Sequence, residues 1–281
     1  MKLPADLQSA LDASANAPSD ADLARRAVGM LDLTSLNGDD TDRVVEALCA
    51  RAVTPVGPVA AVCVWARFVP TARKALDGTP VKVATVVNFP SGEADAASVA
   101  AETRRAIADG ADEIDVVLPY KAFIDGARTQ PMNVVKACRE ACADKALMKV
   151  ILESGAFPDP DLLAWAARDA IAAGADFLKT STGKTQPAAT LPAAAVILDS
   201  IYESGKTVGF KAAGGIRDAA EAARYLALAD HILGDGWATP QTFRFGASSL
   251  LDALLAAAGH SGREGEGERE GEREPAPAGG Y

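Results

Sequence analysis

Five charged residues stand inside short apolar runs of this 281-residue chain, where a solvent-facing role is hard to arrange. They are Asp32 in MLDLT, Asp115 in EIDVVLPY, Lys149 in MKVILES, Lys179 in FLKTSTG and Lys211 in VGFKAAGG. A charge buried in a strand must be paired or put to use. A single Asp–Lys pair in such a place reads first as a structural salt bridge, because ion pairs perturb ionisation without any catalysis. Lys179 and Lys211 change that reading. Each lies near the end of its run, just before a polar or glycine-rich loop, and two ammonium groups held close repel until one is pushed toward the neutral amine. A neutral lysine amine is a nucleophile that forms Schiff bases with carbonyl compounds. Asp115 is then the candidate acid/base group, acting directly or through water.

A second set of residues has the chemistry of anion binding. Thr180-Ser181-Thr182-Gly183-Lys184, Ala213-Gly214-Gly215 and Gly246-Ala247-Ser248-Ser249 offer backbone N–H groups, hydroxyls and one helix amino terminus, which together hold a phosphate. Gly183-Lys184-Thr185 is not a nucleotide P-loop, since that motif needs glycine five residues before Gly183 and Leu178 stands there.

Positioning these groups falls to alternating elements. Candidate strands are Met30–Leu33, Val59–Trp65, Val81–Asn88, Glu113–Pro119, Leu147–Glu153, Phe177–Ser181, Val208–Ala212 and His231–Leu233. Between them, Thr41–Ala52, Asp95–Asp109, Asn133–Ala143, Asp161–Ala173, Ala188–Ser204 and Ala219–Leu228 repeat apolar residues at helical spacing. The recurring Gly-Ala-Asp before two strands, at Gly110 and Gly174, marks a repeated helix, turn and strand unit. Eight such units, with no G-x-G-x-x-G after the first strand, predict an α/β fold of the (β/α)8 TIM-barrel type with its chemistry at the carboxyl ends of the strands. Residues 1–261 read as one barrel domain with an amino-terminal helical extension. Residues 262–281 hold charge, glycine, proline and alanine before the final Tyr281, and read as a disordered solubilising tail.

Composition narrows the function. A formal charge of −10 argues against a nucleic-acid partner. No run of about 18 apolar residues suggests a membrane span, and no signal-like amino terminus is apparent, so a cytoplasmic, reduced protein is expected. Cys138 and Cys142 fall four apart on a helix with no histidine beside them, which favours packing over metal binding. His231 reads as a strand or core residue, His260 lies near the tail, and Glu102, Arg104 and Arg105 decorate a solvated helix face. No metal and no cofactor is expected.

From about Leu31 to Leu255 the segments LDLTSLNGDDT, VAAVCVWARFVP, VVNFPSGE, DEIDVVLPY, MKVILESG, ADFLKTSTGK, VGFKAAGGIR and FRFGASSLL occur in order and resemble those of the deoxyribose-phosphate aldolase family. The resemblance implies a class I, metal-independent lyase that cleaves 2-deoxy-D-ribose 5-phosphate to D-glyceraldehyde 3-phosphate and acetaldehyde, in a homodimer. It implies Lys179 as the Schiff-base lysine, Lys211 as the lysine that depresses its pKa and Asp115 as acid/base partner. Gly183, Lys184, Gly214, Gly215, Ser248 and Ser249 match phosphate-binding segments, and Asp32 and Lys149 a polar interior. Ala66 and Ala212 stand where many relatives carry proline, changes expected to loosen two strand ends. The terminal Gly279-Gly280-Tyr281 resembles a tail that reaches the site in some members, where its tyrosine assists proton transfer. Another Schiff-base or transaldolase-like barrel, or a non-catalytic sugar-phosphate-binding barrel, is the alternative; a class II metal enzyme would need more histidine than the two present.

Overall fold

The computed structural model describes residues 3–260. Eight parallel strands close into a barrel: β1 Leu31–Thr34, β2 Ala61–Val64, β3 Lys82–Val87, β4 Glu113–Val117, β5 Leu147–Ile151, β6 Phe177–Lys179, β7 Gly209–Ala213 and β8 Phe243–Ala247. Successive strands are neighbours, and β8 pairs back onto β1. A TIM barrel is therefore the fold, as expected.

Helices α1 Ala5–Ser14 and α2 Ala21–Val28 precede β1, and α3 Asp42–Arg51, α4 Val69–Ala75, α5 Ala96–Ala108, α6 Tyr120–Ile124, α7 Thr129–Cys142, α8 Pro160–Ala172, α9 Leu191–Ser204, α10 Ala219–Leu233 and α11 Leu250–Ala257 follow the strands. Their starts are written locally. Asp20, Thr41, Asp95, Asp159, Thr190 and Asp218 each accept a hydrogen bond from a backbone N–H of the first turn of α2, α3, α5, α8, α9 and α10, which satisfies a donor the helix cannot.

The Gly-Ala-Asp repeat has a repeated purpose. Asp112 Oδ2 accepts from Val83 N (2.8 Å) and Asp176 Oδ2 from Met148 N (2.7 Å), so each aspartate holds the start of the preceding strand. Arg73 and Arg139, from the preceding helices, pair with these same carboxylates. Each arginine stem crosses the glycine of its repeat so closely that a Cβ would meet it at 3.2 Å for Gly110 and 3.1 Å for Gly174.

Alternation along the strands divides the side chains between two environments. Leu31, Leu33, Val62, Val64, Val83, Ile114, Val116, Met148, Val150, Leu178, Phe210, Phe243 and Phe245 join the main core under the helices. Ala61, Cys63, Ala84 and Val86 form a separate apolar cluster with Leu36, inside the β2–β3 wall. Much of the remaining interior is charged, with Phe177 lying beneath the Arg244 guanidinium at 5.6 Å.

One strand was misplaced by sequence. His231–Leu233 is the last turn of α10, continuous with its helical periodicity, and the eighth strand is Phe243–Ala247. His231 is accordingly an exposed helix residue and not a core or strand histidine. The substitution of Ala at 212 loosens nothing visible in β7, whose pairing runs through Ala212 to Phe245. All four cysteines are buried and free. Among the described residues no helix is long and apolar enough to cross a membrane. The tail at 262–281 and Tyr281 lie outside the described residues.

Candidate active site

Every charge singled out within the strands arrives at one place. Lys179 and Lys211 are register partners on β6 and β7, and both ammonium groups donate to the same oxygen, Asp115 Oδ2, at 2.8 Å. Lys149 Nζ donates to Asp115 Oδ1 at 2.9 Å and lies 3.5 Å from Asp32 Oδ2. Lys211 Nζ also donates to Asp32 Oδ2 at 2.6 Å. Asp32, Asp115, Lys149 and Lys211 are wholly buried, whereas Lys179 is 3% exposed.

Two members of this cluster escaped the sequence reading. Glu113, two residues before Asp115 and so on the same strand face, accepts from Lys149 Nζ at 2.5 Å. Arg244 donates to Asp32 Oδ1 at 2.7 Å and to Glu113 at 3.0 and 3.1 Å. The clue for Glu113 was its period-2 spacing from Asp115. Arg244 lies in the strand that was misplaced. All six carboxylate oxygens of Asp32, Glu113 and Asp115 accept from a lysine or arginine, which leaves that carboxylate set committed to cations of the chain itself.

The electrostatics separate the three lysines. Burial lowers the pKa of each, but Lys211 and Lys149 are raised on balance, because Asp115 together with Asp32 for Lys211, and with Glu113 and Asp32 for Lys149, outweighs desolvation. Lys179 ends below its ordinary value: burial dominates, Lys211 adds to it, and Asp115 alone among the carboxylates opposes. Asp32 and Asp115 are held well below the usual carboxylate range, since the surrounding cations overcome the upward push of burial. The lysine disposed to be neutral is the one that reaches the cavity.

That cavity, about 280 Å³, opens at the carboxyl ends of the strands and is lined by Lys179 together with Gly183, Lys184, Gly214, Gly215, Ser248 and Ser249. All six residues singled out for phosphate thus share one cavity with the candidate nucleophile. Ser248 and Ser249 directly precede α11. Lys184 Nζ donates to Leu36 O at 2.7 Å, tying the loop after β6 to the loop after β1. Arg217 also lines the cavity, a cation the sequence reading passed over although it follows Gly214-Gly215 by two residues.

The loop after β6 is set from beneath by Glu153, a further residue missed. It is fully buried with a left-handed backbone (φ 57°) and accepts from Thr182 N at 3.1 Å and Thr182 Oγ1 at 2.5 Å. Thr182 Oγ1 in turn accepts from Lys184 N at 3.1 Å. A charged residue closing an apolar strand was the available signal.

Comparison with known proteins agrees with this geometry. The model of the DeoC/LacD family aldolase matches residues 26–256. A Coccidioides immitis protein provisionally assigned as a deoxyribose-phosphate aldolase is 28% identical, with a TM-score of 0.72 over 84% of this chain and 86% of its own. A Toxoplasma gondii protein with the same provisional assignment, solved in its apo form, is 26% identical, with a TM-score of 0.78 over 85% and 96%. The tetrameric deoxyribose phosphate aldolase of Aeropyrum pernix is 25% identical, with a TM-score of 0.65 over 89% and 96%. The chain belongs to the DeoC/LacD family of aldolases and is a lyase of the class I aldolase type.

Proposed function

We propose that the protein catalyses the reversible aldol cleavage of 2-deoxy-D-ribose 5-phosphate to D-glyceraldehyde 3-phosphate and acetaldehyde through a Schiff base on Lys179. The observation that carries this reading is the position of Lys179: it alone of the three buried lysines lines the cavity, and it holds a single carboxylate where Lys149 and Lys211 hold more. Attack of its neutral amine on C1 of the open-chain sugar gives a carbinolamine, and loss of water gives an iminium. The iminium takes up the electron pair of the breaking C2–C3 bond while the C3 hydroxyl proton passes to Asp115, directly or through one water, so that C3 becomes the aldehyde carbon of the departing three-carbon product. Glyceraldehyde 3-phosphate leaves, and the enamine on Lys179 is protonated and hydrolysed to acetaldehyde. Lys211, kept charged by its carboxylates, repels a proton from Lys179 throughout the cycle.

Gly183, Lys184, Gly214, Gly215, Ser248 and Ser249 hold the phosphate, with Arg217 adding charge at the rim. Anchoring the remote phosphate orients the reacting carbonyl. Asp32 keeps Lys211 in place and Lys149 keeps Asp115 in place. A cytoplasmic homodimer accompanies this reading; because the Aeropyrum pernix relative is a tetramer, light scattering of the purified protein decides between two and four subunits.

The test is cleavage of 2-deoxy-D-ribose 5-phosphate in the presence of a chelator, with both aldehydes identified as products. Expected is stoichiometric release of the two, and synthesis when acetaldehyde and glyceraldehyde 3-phosphate are supplied. Turnover only with a ketone donor would move the protein to a transaldolase-like activity, and tight binding without turnover would make it a binding protein.

A further inference from the structure

The reaction just described engages Lys179, Lys211 and Asp115, yet Glu113 and Arg244 are also buried in the barrel, at 3% and 6% exposure. A buried ion pair is no more stabilising than apolar side chains of the same volume, because desolvating two charges offsets their attraction. Stability alone therefore does not account for placing a glutamate and an arginine here. Their geometry is well defined. Arg244 donates to both oxygens of Glu113 and to Asp32, and its Nε is fixed on Pro240 O at 2.6 Å. Glu113 in turn receives Lys149.

We propose that Glu113 and Arg244 are positioning residues that set the charge balance of the barrel interior, so that the missing proton is missing from Lys179 and not from Lys149 or Lys211. The inference rests on the assignment of Lys179 as the nucleophile. Three carboxylates, Asp32, Glu113 and Asp115, face four basic groups, Lys149, Lys179, Lys211 and Arg244. Fully ionised, the cluster carries one surplus positive charge in a medium that tolerates none cheaply. One proton must be the least firmly held. Arg244 does not give up a proton in proteins. Lys149 has carboxylate oxygens at 2.5, 2.9 and 3.5 Å and Lys211 at 2.6 and 2.8 Å, whereas Lys179 has one at 2.8 Å. The surplus thus leaves from Lys179.

The groups facing Lys179 are Asp115 from β4, Lys211 from β7 and the buried thiol of Cys63 from β2, with Lys149 of β5 and Asp32 of β1 behind them. Removing Arg244 leaves three carboxylates facing three lysines, and the reason for a neutral Lys179 is gone. Removing the Glu113 charge acts the other way, since Lys149 then relies on Asp115 and draws that carboxylate from Lys179. Adjacent substitutions in one ion pair should therefore displace the same ionisation in opposite directions. A role in packing alone would not do this.

The experiment is the pH dependence of kcat/KM for 2-deoxy-D-ribose 5-phosphate cleavage, whose acid limb reports the free enzyme. One unit charge on the order of 8 Å away, at an effective dielectric constant of about 20, moves such a limb by about one to two pH units. Expected are a midpoint about one to two units higher in Arg244→Met, about one to two units lower in Glu113→Gln, and unmoved in the charge-conserving Arg244→Lys. The Glu113→Gln/Arg244→Met double variant, which restores the single surplus charge, should return toward the original midpoint. If Arg244→Met does not fold, the downward shift in Glu113→Gln decides alone. Midpoints that stay in place, or move in one direction for both substitutions, overturn the inference. Borohydride trapping on the unsubstituted protein keeps the two readings apart: no adduct on Lys179 would overturn the proposed function itself, whereas an adduct with an unmoved limb overturns only the role of Glu113 and Arg244.

Discussion

Replacing Lys211 by methionine removes the cation nearest to the proposed nucleophile while leaving the stem volume largely filled. Lys179 and Lys211 both donate at 2.8 Å to one oxygen of Asp115, so their nitrogens lie at most about 5.6 Å apart, twice that distance. At about 5 Å and an effective dielectric constant of about 20, two unit charges interact with about 3 kcal/mol. Losing that repulsion lowers the neutral fraction of Lys179 by roughly 100-fold near neutral pH. Release of Asp115 from Lys211 acts in the same direction, because the freed carboxylate strengthens its hold on the ammonium form of Lys179. Asp32 keeps Arg244 at 2.7 Å and Lys149 at 3.5 Å, so the variant does not leave a carboxylate stranded. Initial cleavage rates measured at about pH 7 and about pH 9.5 read the effect, the second condition lying closer to the ordinary lysine value. The expected result is a roughly 100-fold loss at the lower pH that shrinks substantially at the higher one. A rate like that of the unsubstituted protein at about pH 7, or an equal loss at both values, would refute the reasoning; the latter would make Lys211 an obligate proton donor.

The Gly214 backbone has φ 94°, and a Cβ there would come within 2.8 Å of the Ala188 Cβ and 3.2 Å of the Gly183 Cα. Gly214→Ala should therefore raise KM for the sugar phosphate about 10-fold or more and leave cleavage of unphosphorylated deoxyribose near its original rate, as steady-state kinetics on both substrates would show. Asp115→Asn is expected to lower kcat by about 10²–10⁴-fold. Because Asp115 is the shared partner of Lys149, Lys179 and Lys211, the same change should cost about 3–5 kcal/mol in urea unfolding. The ion network also sets a pH window for stability. Asp32 and Asp115 have lowered folded values, so their contribution is present above the ordinary carboxylate value of about 4 and lost as pH falls through the folded values. Lys149 and Lys211 have raised folded values, so theirs is present below about 10.4 and lost as pH rises through the folded values. Lys179 has a lowered folded value, so the unfolded chain binds its proton more firmly and stability rises with pH between that folded value and about 10.4. Thermal melts across pH should therefore fall off on the acid side as Asp32 and Asp115 are protonated and rise gently through the alkaline range toward about pH 10, and stability that falls from about pH 7 to about pH 9 would contradict it.

Much of the site was legible because its residues violate a local pattern. A lysine or aspartate within Leu, Val and Ile is conspicuous, and the comparable ends of two successive strands put Lys179 beside Lys211. The phosphate-binding glycines and serines were legible for the same reason, as glycine and hydroxyl clusters immediately after strands. The eighth strand was not. Phe-Arg-Phe-Gly-Ala interrupts its apolar run with a cation and a glycine, whereas His-Ile-Leu at 231–233 offers a continuous run that the helix before it absorbs. What makes Arg244 tolerable inside the barrel is Asp32 and Glu113, which are 212 and 131 residues away. No local window holds that information. Glu153 was hidden similarly, since its partner Thr182 lies 29 residues away on the loop after the neighbouring strand.

The central claim is a covalent bond between Lys179 and the carbonyl carbon of the substrate. Incubation of the purified protein with acetaldehyde or 2-deoxy-D-ribose 5-phosphate, reduction by borohydride and peptide mass spectrometry locate that bond. Expected is a single stable adduct on the peptide containing Lys179, absent from Lys179→Leu. An adduct on Lys211 instead would reverse the roles of the two lysines, and turnover without any trapped adduct would contradict the Schiff-base mechanism.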